Sequence, residues 1–166
     1  ELLDVPYRER AHLQVFHGPV AKWYTGGTLV PILLTPDGPL ADSTRINRFL
    51  DEGKGLLYPA GVVDDVLAWE EYLDEGLGPE GRRWIYLHVL ERPDFAAYAA
   101  FGAPRWQPAV WRALRPVFQW MLVRYLDITD DAVQAGMATV EEALLRVEAR
   151  LDEGASFLVG DTFTAA

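Results

Sequence analysis

Apolar runs and turn-forming residues alternate at short intervals in the first third of the chain. An apolar run at residues 30–34 is followed by Pro-Asp-Gly at 36–38 and by a second short run at 39–41. Proline sets the first corner of a turn, and glycine accepts the positive φ that many turns require. The pattern predicts two strands joined as a hairpin, with Pro31 at the entry to the first strand, where a proline is tolerated.

A helix is predicted to follow the hairpin at residues 43–51. Ile46, Phe49 and Leu50 recur at helical spacing, and Ser43 is expected to cap the helix. The hairpin and its helix give this part of the chain an α/β character.

Further elements are predicted upstream of the hairpin. Residues 6–10 are expected to form a short strand. His-Gly-Pro at residues 17–19 is typical of a turn, and residues 21–24 are expected to form one helical turn that Gly26 and Gly27 end.

Beyond a linker at residues 54–61, the apolar period becomes helical. A long helix over residues 63–90 is expected to be interrupted by the glycines and proline at 76–79. A second helix over residues 106–125 is expected to bend at Pro116.

The last long helix is predicted over residues 129–152. Its apolar residues recur at steps of three and four and predict one packing seam: Val133, Met137, Val140, Leu144, Val147 and Leu151. By contrast, the acidic run on the helix from Val63 is expected to form a solvated face: Glu70, Glu71, Asp74 and Glu75.

Composition narrows the classes of function. The formal net charge of −10 argues against nucleic acid or an anionic membrane surface as the main partner. The chain has no cysteine, and His12, His17 and His88 lack metal-ligand spacing, so no metal site is expected. No apolar run approaches the roughly 18 residues of a membrane span, which favours a soluble protein.

Three segments resemble the signature segments of cytosolic glutathione S-transferases. They are LVPIL at residues 29–33, DSTRI at 42–46 and FLVGDTFTAA at 157–166, in the order that the family has. The resemblance implies a truncated α/β thioredoxin-like N-terminal domain at residues 1–53. It also implies a truncated all-α C-terminal helical domain at residues 62–166, and it covers nearly the whole chain.

The resemblance also implies a glutathione-binding site. Pro31 would be a cis-proline, and the backbone of Val30 would pair with the cysteinyl part of glutathione like an added strand. Asp42 would face the ammonium of the γ-glutamyl end, and the amide and hydroxyl of Ser43 would receive its carboxylate.

Other parts of the implied site are less complete within these residues. Lys22 or Trp23 is expected to reach the glycyl carboxylate. The family's catalytic Tyr, Ser or Cys belongs to the first strand and helix, which would precede Glu1. We therefore expect the chain to be part of a longer protein, with one strand missing between the strand predicted at 6–10 and the hairpin.

The implied function is that of a cytoplasmic enzyme that uses glutathione as co-substrate and conjugates its thiol to a small apolar electrophile. The family habit also implies a homodimer, with contacts from the helices that begin at Ser43 and Val63. One alternative is a transferase-fold module that binds apolar ligands or proteins without turnover. Another is a glutathione-dependent reductase or peroxidase that uses a cysteine upstream of Glu1.

Simpler interpretations exist for the same residues. Pro31 has the alternative of an ordinary trans proline at a strand edge, and Asp42 with Ser43 has the alternative of a helix cap alone. Lys22 and Trp23 are often mere surface residues. An aromatic group is most simply core, although the resemblance allows some members to line a substrate pocket: Trp69, Tyr72, Tyr98, Phe101, Trp106 and Trp111.

Overall fold

The chain is mostly helical, with a small antiparallel hairpin in its first third. The computed structural model describes residues 3–92, 94–152 and 154–166, apart from the side chain of residue 96. The elements follow in this order: α1 (His17–Thr25), β1 (Ile32–Thr35), β2 (Gly38–Ala41), α2 (Ser43–Asp51), α3 (Val63–Tyr72), a π-helical segment (Leu73–Leu77), α4 (Gly78–Val89), α5 (Phe95–Ala99), α6 (Trp106–Ala113), α7 (Arg115–Leu126) and α8 (Asp130–Asp152).

The predicted hairpin is confirmed. β1 and β2 pair antiparallel, with Ile32 opposite Ala41 and Thr35 opposite Gly38. The Thr35 hydroxyl donates to the Gly38 carbonyl at 2.8 Å, and Gly38 takes a φ of 127°, a value that favours glycine. Both α1 and α2 contact β2, so the hairpin is packed against helices.

The strand predicted for residues 6–10 is wrong. These residues form no strand, and Tyr7 is 76% exposed. The described residues form one two-stranded sheet, and residues 6–10 pair with neither of its strands, so their backbone joins no ladder. Leu13 is instead fully buried beside Trp111, and its amide donates to Oε1 of the buried Gln107 at 2.8 Å. The contact with the helices that follow the linker therefore lies at Leu13, whereas residues 6–10 are exposed.

Residues 17–19 are also not the turn that their sequence suggests. They form the first turn of α1, where Pro19 is tolerated because the first amides of a helix have no partner within it. The predicted end is confirmed, since Gly26 has a φ of 75° and its amide donates to the Lys22 carbonyl at 2.9 Å.

Both long helices are interrupted, as predicted, although each break begins two or three residues before the predicted position. The π-helical segment, residues 73–77, separates α3 from α4, and Pro79 lies in the first turn of α4. The second break lies at Leu114, two residues before Pro116, because proline fits the first turn of a new helix better than the middle of an old one.

The interior holds two groups of buried apolar residues. The first joins Leu13 to α4, to α6 and to the connection between α7 and α8: Leu13, Tyr86, Leu90, Trp111 and Ile128. The second joins the linker to α3 and the last residues: Leu57, Tyr58, Val66 and Val159. Of the aromatic residues expected in the core, Trp111 is buried, whereas Tyr98, Phe101 and Trp106 are exposed.

The packing seam predicted on α8 is wrong in part. Val133 is buried as expected, but Met137, Leu144 and Leu151 are 41%, 56% and 41% exposed. The fully buried positions are Val133, Gly136 and Ala143. α8 packs against α4 over these small residues, because Glu80 of α4 occupies the space that a Cβ on Gly136 would need.

Asp51 joins the hairpin part of the chain to the linker. This last residue of α2 is only 4% exposed, and its carboxylate accepts the amides of Leu56, Leu57 and Tyr58 at 2.9, 3.0 and 2.9 Å. Burial disfavours the carboxylate, but the three amides outweigh burial and hold the pKa of Asp51 below its ordinary value. The linker thus takes its shape from one side chain.

Among the residues that the structure describes, no helix has both the length and the apolar character needed to cross a bilayer.

Asp51→Asn is expected to lower the free energy of unfolding by about 2–4 kcal/mol at pH 7, because an amide NH₂ would replace an acceptor facing buried donors. Urea denaturation measures the change, with Asp37→Asn in the exposed hairpin turn as the control.

Since the pKa of Asp51 is lowered on folding, its stabilisation is present above the unfolded pKa of about 3.9 and is lost as the pH falls through the folded pKa. The gap between wild type and variant should therefore narrow below about pH 4. An equal gap at pH 7 and at low pH would contradict this role.

Candidate functional site

The hairpin brings the two predicted binding segments to one end. Pro31 precedes the first residue of β1, and Asp42 follows the last residue of β2. Because Ile32 lies opposite Ala41, the register carries Val30–Pro31 and Asp42–Ser43 to the same end of the ladder. The Val30–Pro31 peptide bond is cis, as the sequence analysis expects.

Asp42, and not Ser43, caps α2. An Asp42 Oδ1 atom accepts the Arg45 amide at 3.1 Å, and the Asp42 carbonyl accepts the Ile46 amide at 3.1 Å. Ser43 is the first residue of the helix. The predicted capping serine is therefore wrong by one residue, because the aspartate carboxylate reaches the same amides from one position earlier.

The start of α2 keeps polar groups available at the surface. The helix has no carbonyl of its own for the amides of Ser43 and Thr44. Ser43 and Pro31 are exposed, and Val30 is 50% exposed. The hairpin end thus offers backbone groups, a hydroxyl and a carboxylate within one small surface, and the helix start there favours an anion.

Glu70 of α3 lies against this surface, although the sequence suggested a solvated position. Its carboxylate accepts the Tyr58 hydroxyl at 2.9 and 3.0 Å. Burial raises the pKa of Glu70 most, and the charges of Asp74 and Asp42 raise it further, while hydrogen bonds from Tyr58 and Thr44 oppose them. The carboxylates of Asp42 and Glu70 therefore lie near enough to interact. Tyr58 of the linker and Glu70 of α3 help to fix the start of α2.

Lys22 and Trp23 lie on a neighbouring helix and not on the hairpin itself. Both lie on α1, where Lys22 is exposed and Trp23 is 85% exposed. α1 contacts β2, so these side chains lie on a helix next to the hairpin while extending into solvent.

The three histidines make different contacts. His12 hydrogen-bonds the Gln107 amide at 2.9 Å, and His88 hydrogen-bonds the Trp84 carbonyl at 2.8 Å. Burial, and then the charge of His12, lower the pKa of His17. In the described part of the chain, no three His, Cys, Asp or Glu side chains come together as a metal site would require.

Two residues next to the site were missed by sequence reasoning. Tyr58 lies in a Gly- and Pro-containing stretch that predicts a linker, and Glu70 lies in an acidic run that predicts a solvated helix face. Their pairing depends on how the linker folds over Asp51, and no local pattern carries that information. Only the apolar run from Leu56 to Tyr58 within the linker hinted at burial.

Comparisons of this chain with protein-family models, with curated proteins and with solved structures found no match. The functional argument therefore depends on the residues and on their geometry.

Asp42→Ala is expected to lower the free energy of unfolding by about 1–2 kcal/mol, because the cap is lost and alanine stands poorly at positive φ. Asp42 has a φ of 83°, a value that glycine takes without strain. Asp42→Gly should therefore stay within about 0.5 kcal/mol of wild type. Urea denaturation of both variants tests this, and equal losses for alanine and glycine would contradict the backbone argument.

Proposed function

We propose that this chain is a glutathione transferase-like protein that binds glutathione at the hairpin end and directs its thiol to a small apolar electrophile. The observation that carries the proposal is the register of β1 and β2, which brings Val30–Pro31 and Asp42–Ser43 to one end. The likeness of three segments to the transferase signatures supports the same reading. Both lines of support concern the same two segments, the first through their geometry and the second through their sequence.

The proposed binding mode matches each part of the tripeptide to one kind of group. The γ-glutamyl carboxylate would accept the Ser43 amide and hydroxyl at the positive end of α2. The γ-glutamyl ammonium would face the carboxylate of Asp42. The cysteinyl backbone would pair with Val30, as an extended peptide pairs with a free strand edge. Lys22 or Trp23 stays the proposed partner of the glycyl carboxylate.

The finer architecture is part of the proposal. We assign residues 1–53 to a thioredoxin-like domain and residues 62–166 to a helical domain of the transferase type. The hairpin followed by α2 supports the first assignment, and the succession of helices after the linker supports the second. The burial of Leu13 among the later helices joins the two parts closely.

Conjugation is part of the proposal, and no residue of 1–166 is assigned to activating the thiol. A glutathione-dependent reductase or peroxidase would need a cysteine, which these residues lack. Binding without turnover is the other outcome. A cytoplasmic homodimer, with α2 and α3 at its interface, also stays a proposal that light scattering of the purified protein tests.

Calorimetric titration with glutathione tests the binding site. Wild type should bind glutathione about tenfold more tightly than the analogue that lacks the α-amino group, because only glutathione places an ammonium against Asp42. In Asp42→Gly, which should remain folded, the two ligands should bind alike. Ser43→Ala should weaken both ligands together, and Asp37→Asn in the hairpin turn is the matched control.

Two results would overturn the proposal. One is the absence of saturable glutathione binding by folded wild type, and the other is an unchanged preference for glutathione in Asp42→Gly. If glutathione binds as described but a generic aromatic halide is not conjugated, these residues form the binding half of the function only.

A further inference from the structure

The helix α7 is apolar on both of its sides. Its inner side packs on the first buried group through Phe118, Leu122 and Leu126. A helix at the surface of a globular protein normally has a polar outer side, and a helix that is apolar all round is normally buried. An apolar patch that stays exposed often marks a contact with a protein or a membrane. The outer side of α7 is therefore a candidate contact surface.

Four outer residues of α7 fall on one face of the helix. They are Val117, Trp120, Met121 and Arg124, at positions i, i+3, i+4 and i+7. Val117, Trp120 and Met121 are 51%, 67% and 40% exposed, and Arg124 is exposed as well. We name these four residues the α7 ridge. The ridge places three apolar side chains and one cation next to each other at the surface.

The contacts of the inner side fix the rotation of α7 about its axis. The Phe118 ring stacks on the Trp111 ring, with 5.2 Å between the ring centroids. The Gln119 side chain donates to the Leu90 carbonyl at the end of α4. A rotation that buried Trp120 would break both contacts. The α7 ridge is therefore a fixed part of the surface.

The net charge of −10 is unevenly distributed along the chain. Residues 95–126 contain four arginines and no Asp or Glu, so they carry +4 and the other residues carry −14. The acidic residues nearest to α7 in sequence or by contact are Asp127, which follows its last residue, and Glu91, whose carbonyl accepts Arg115 on the inner side. Exposed charges more than about 8 Å apart are largely screened at physiological salt. A partner at the ridge therefore meets a locally positive surface.

An apolar face with positive charge fits an anionic partner. A second copy in a two-fold contact would place the same positive surface against itself, and like charges across an interface cost free energy. Anionic phospholipid has the opposite charge, and its headgroup region accommodates both the ring and the polar atom of Trp or Tyr. Trp120 in the ridge and Tyr125 at its edge, which is 79% exposed, are residues of this kind. The ridge therefore favours a lipid surface.

We propose that the α7 ridge docks on a bilayer surface that contains anionic phospholipid. Val117, Trp120 and Met121 enter the headgroup region, and Arg124 lies beside the lipid phosphates. Apolar area and attraction to anionic lipid both contribute to such binding. α7 has 12 residues, fewer than the roughly 20 of a membrane span, so it lies along the surface. The proposal is independent of glutathione binding, because no ridge residue belongs to the hairpin or to α2.

Co-sedimentation with phosphatidylcholine vesicles, with and without phosphatidylserine, tests the docking of the purified chain. Wild type should bind the vesicles with phosphatidylserine at least about fivefold more tightly, the factor expected from one arginine at an anionic surface. The preference should disappear when the ionic strength is raised from about 0.01 M to about 1 M, because the Debye length falls from about 30 Å to about 3 Å.

Two variants with matched controls assign the binding to the ridge. Arg124→Glu should remove the preference for phosphatidylserine, whereas Arg8→Glu, which changes the net charge equally at another exposed position, should keep it. Trp120→Ser should weaken binding to both kinds of vesicle by about tenfold, because apolar area is lost. Trp23→Ser, at a tryptophan of α1 that is 85% exposed, should bind as wild type does. Circular dichroism checks that each variant is folded.

Brominated phosphatidylcholine locates the contact, because bromine quenches a tryptophan only at short range. Quenching should occur in wild type and in Trp23→Ser. It should be lost in Trp120→Phe, which keeps an aromatic ring on the ridge and still binds vesicles.

Several results would overturn the proposal. They are the absence of vesicle binding by folded wild type, equal binding by a folded ridge variant and its control, and quenching that persists in Trp120→Phe. Binding of soluble polyglutamate as tight as binding of the vesicles would also overturn it, and would assign the ridge to an acidic protein partner.

Discussion

The carboxylate of Asp51 is the interaction on which the relation between the hairpin and the helices depends. Asp51 is the last residue of α2. The three hydrogen bonds that its carboxylate accepts from linker amides turn the linker so that Leu57 and Tyr58 enter the interior. Leu57 then packs with Val66 of α3, and its carbonyl accepts the Ala165 amide at 3.1 Å. Three amide donors held by the two oxygens of one carboxylate leave the linker little conformational freedom, so α3 starts from a fixed position.

The hydrogen bonds of Asp51 also determine which residues surround the hairpin end. Once Tyr58 is held, its hydroxyl meets Glu70, and α3 lies beside the start of α2. A carboxylate near the capping Asp42 favours a cation there, while the amides of α2 favour an anion. The hairpin end therefore combines a preference for a cation beside Asp42 with a preference for an anion at the amides of α2.

Local chemistry was enough to predict the features that one short stretch decides. Pro-Asp-Gly predicted the hairpin turn, Gly26 predicted the end of α1, and Gly78–Pro79 predicted a break in the long helix. Of the site, the positions of Pro31 and Asp42 on the two sides of the hairpin were predictable for the same reason. The choice of Asp42 over Ser43 as cap depends on a φ of 83°, which a sequence pattern does not reveal.

The features that were not predicted depend on distant partners. Residues 6–10 were predicted as a strand from an imperfect alternation, and in the structure they pair with no neighbouring strand. The face that α8 buries is set by Glu80 against Gly136, so the small residues pack and Leu144 does not. Trp106 and Trp111 are both large and apolar, yet only Trp111 faces Leu13. Glu70 gave no local sign that it would meet Tyr58.

The bond from the Leu13 amide to Gln107 has a consequence for synthesis of the chain. The two residues are 94 positions apart in sequence. At about 5–20 residues per second, a ribosome needs about 5–20 s to add the stretch between them. Throughout that time Leu13 has been made and the helix that covers it has not. The first buried group therefore cannot be completed until α6 has been synthesised, and Leu13 lacks this partner until then.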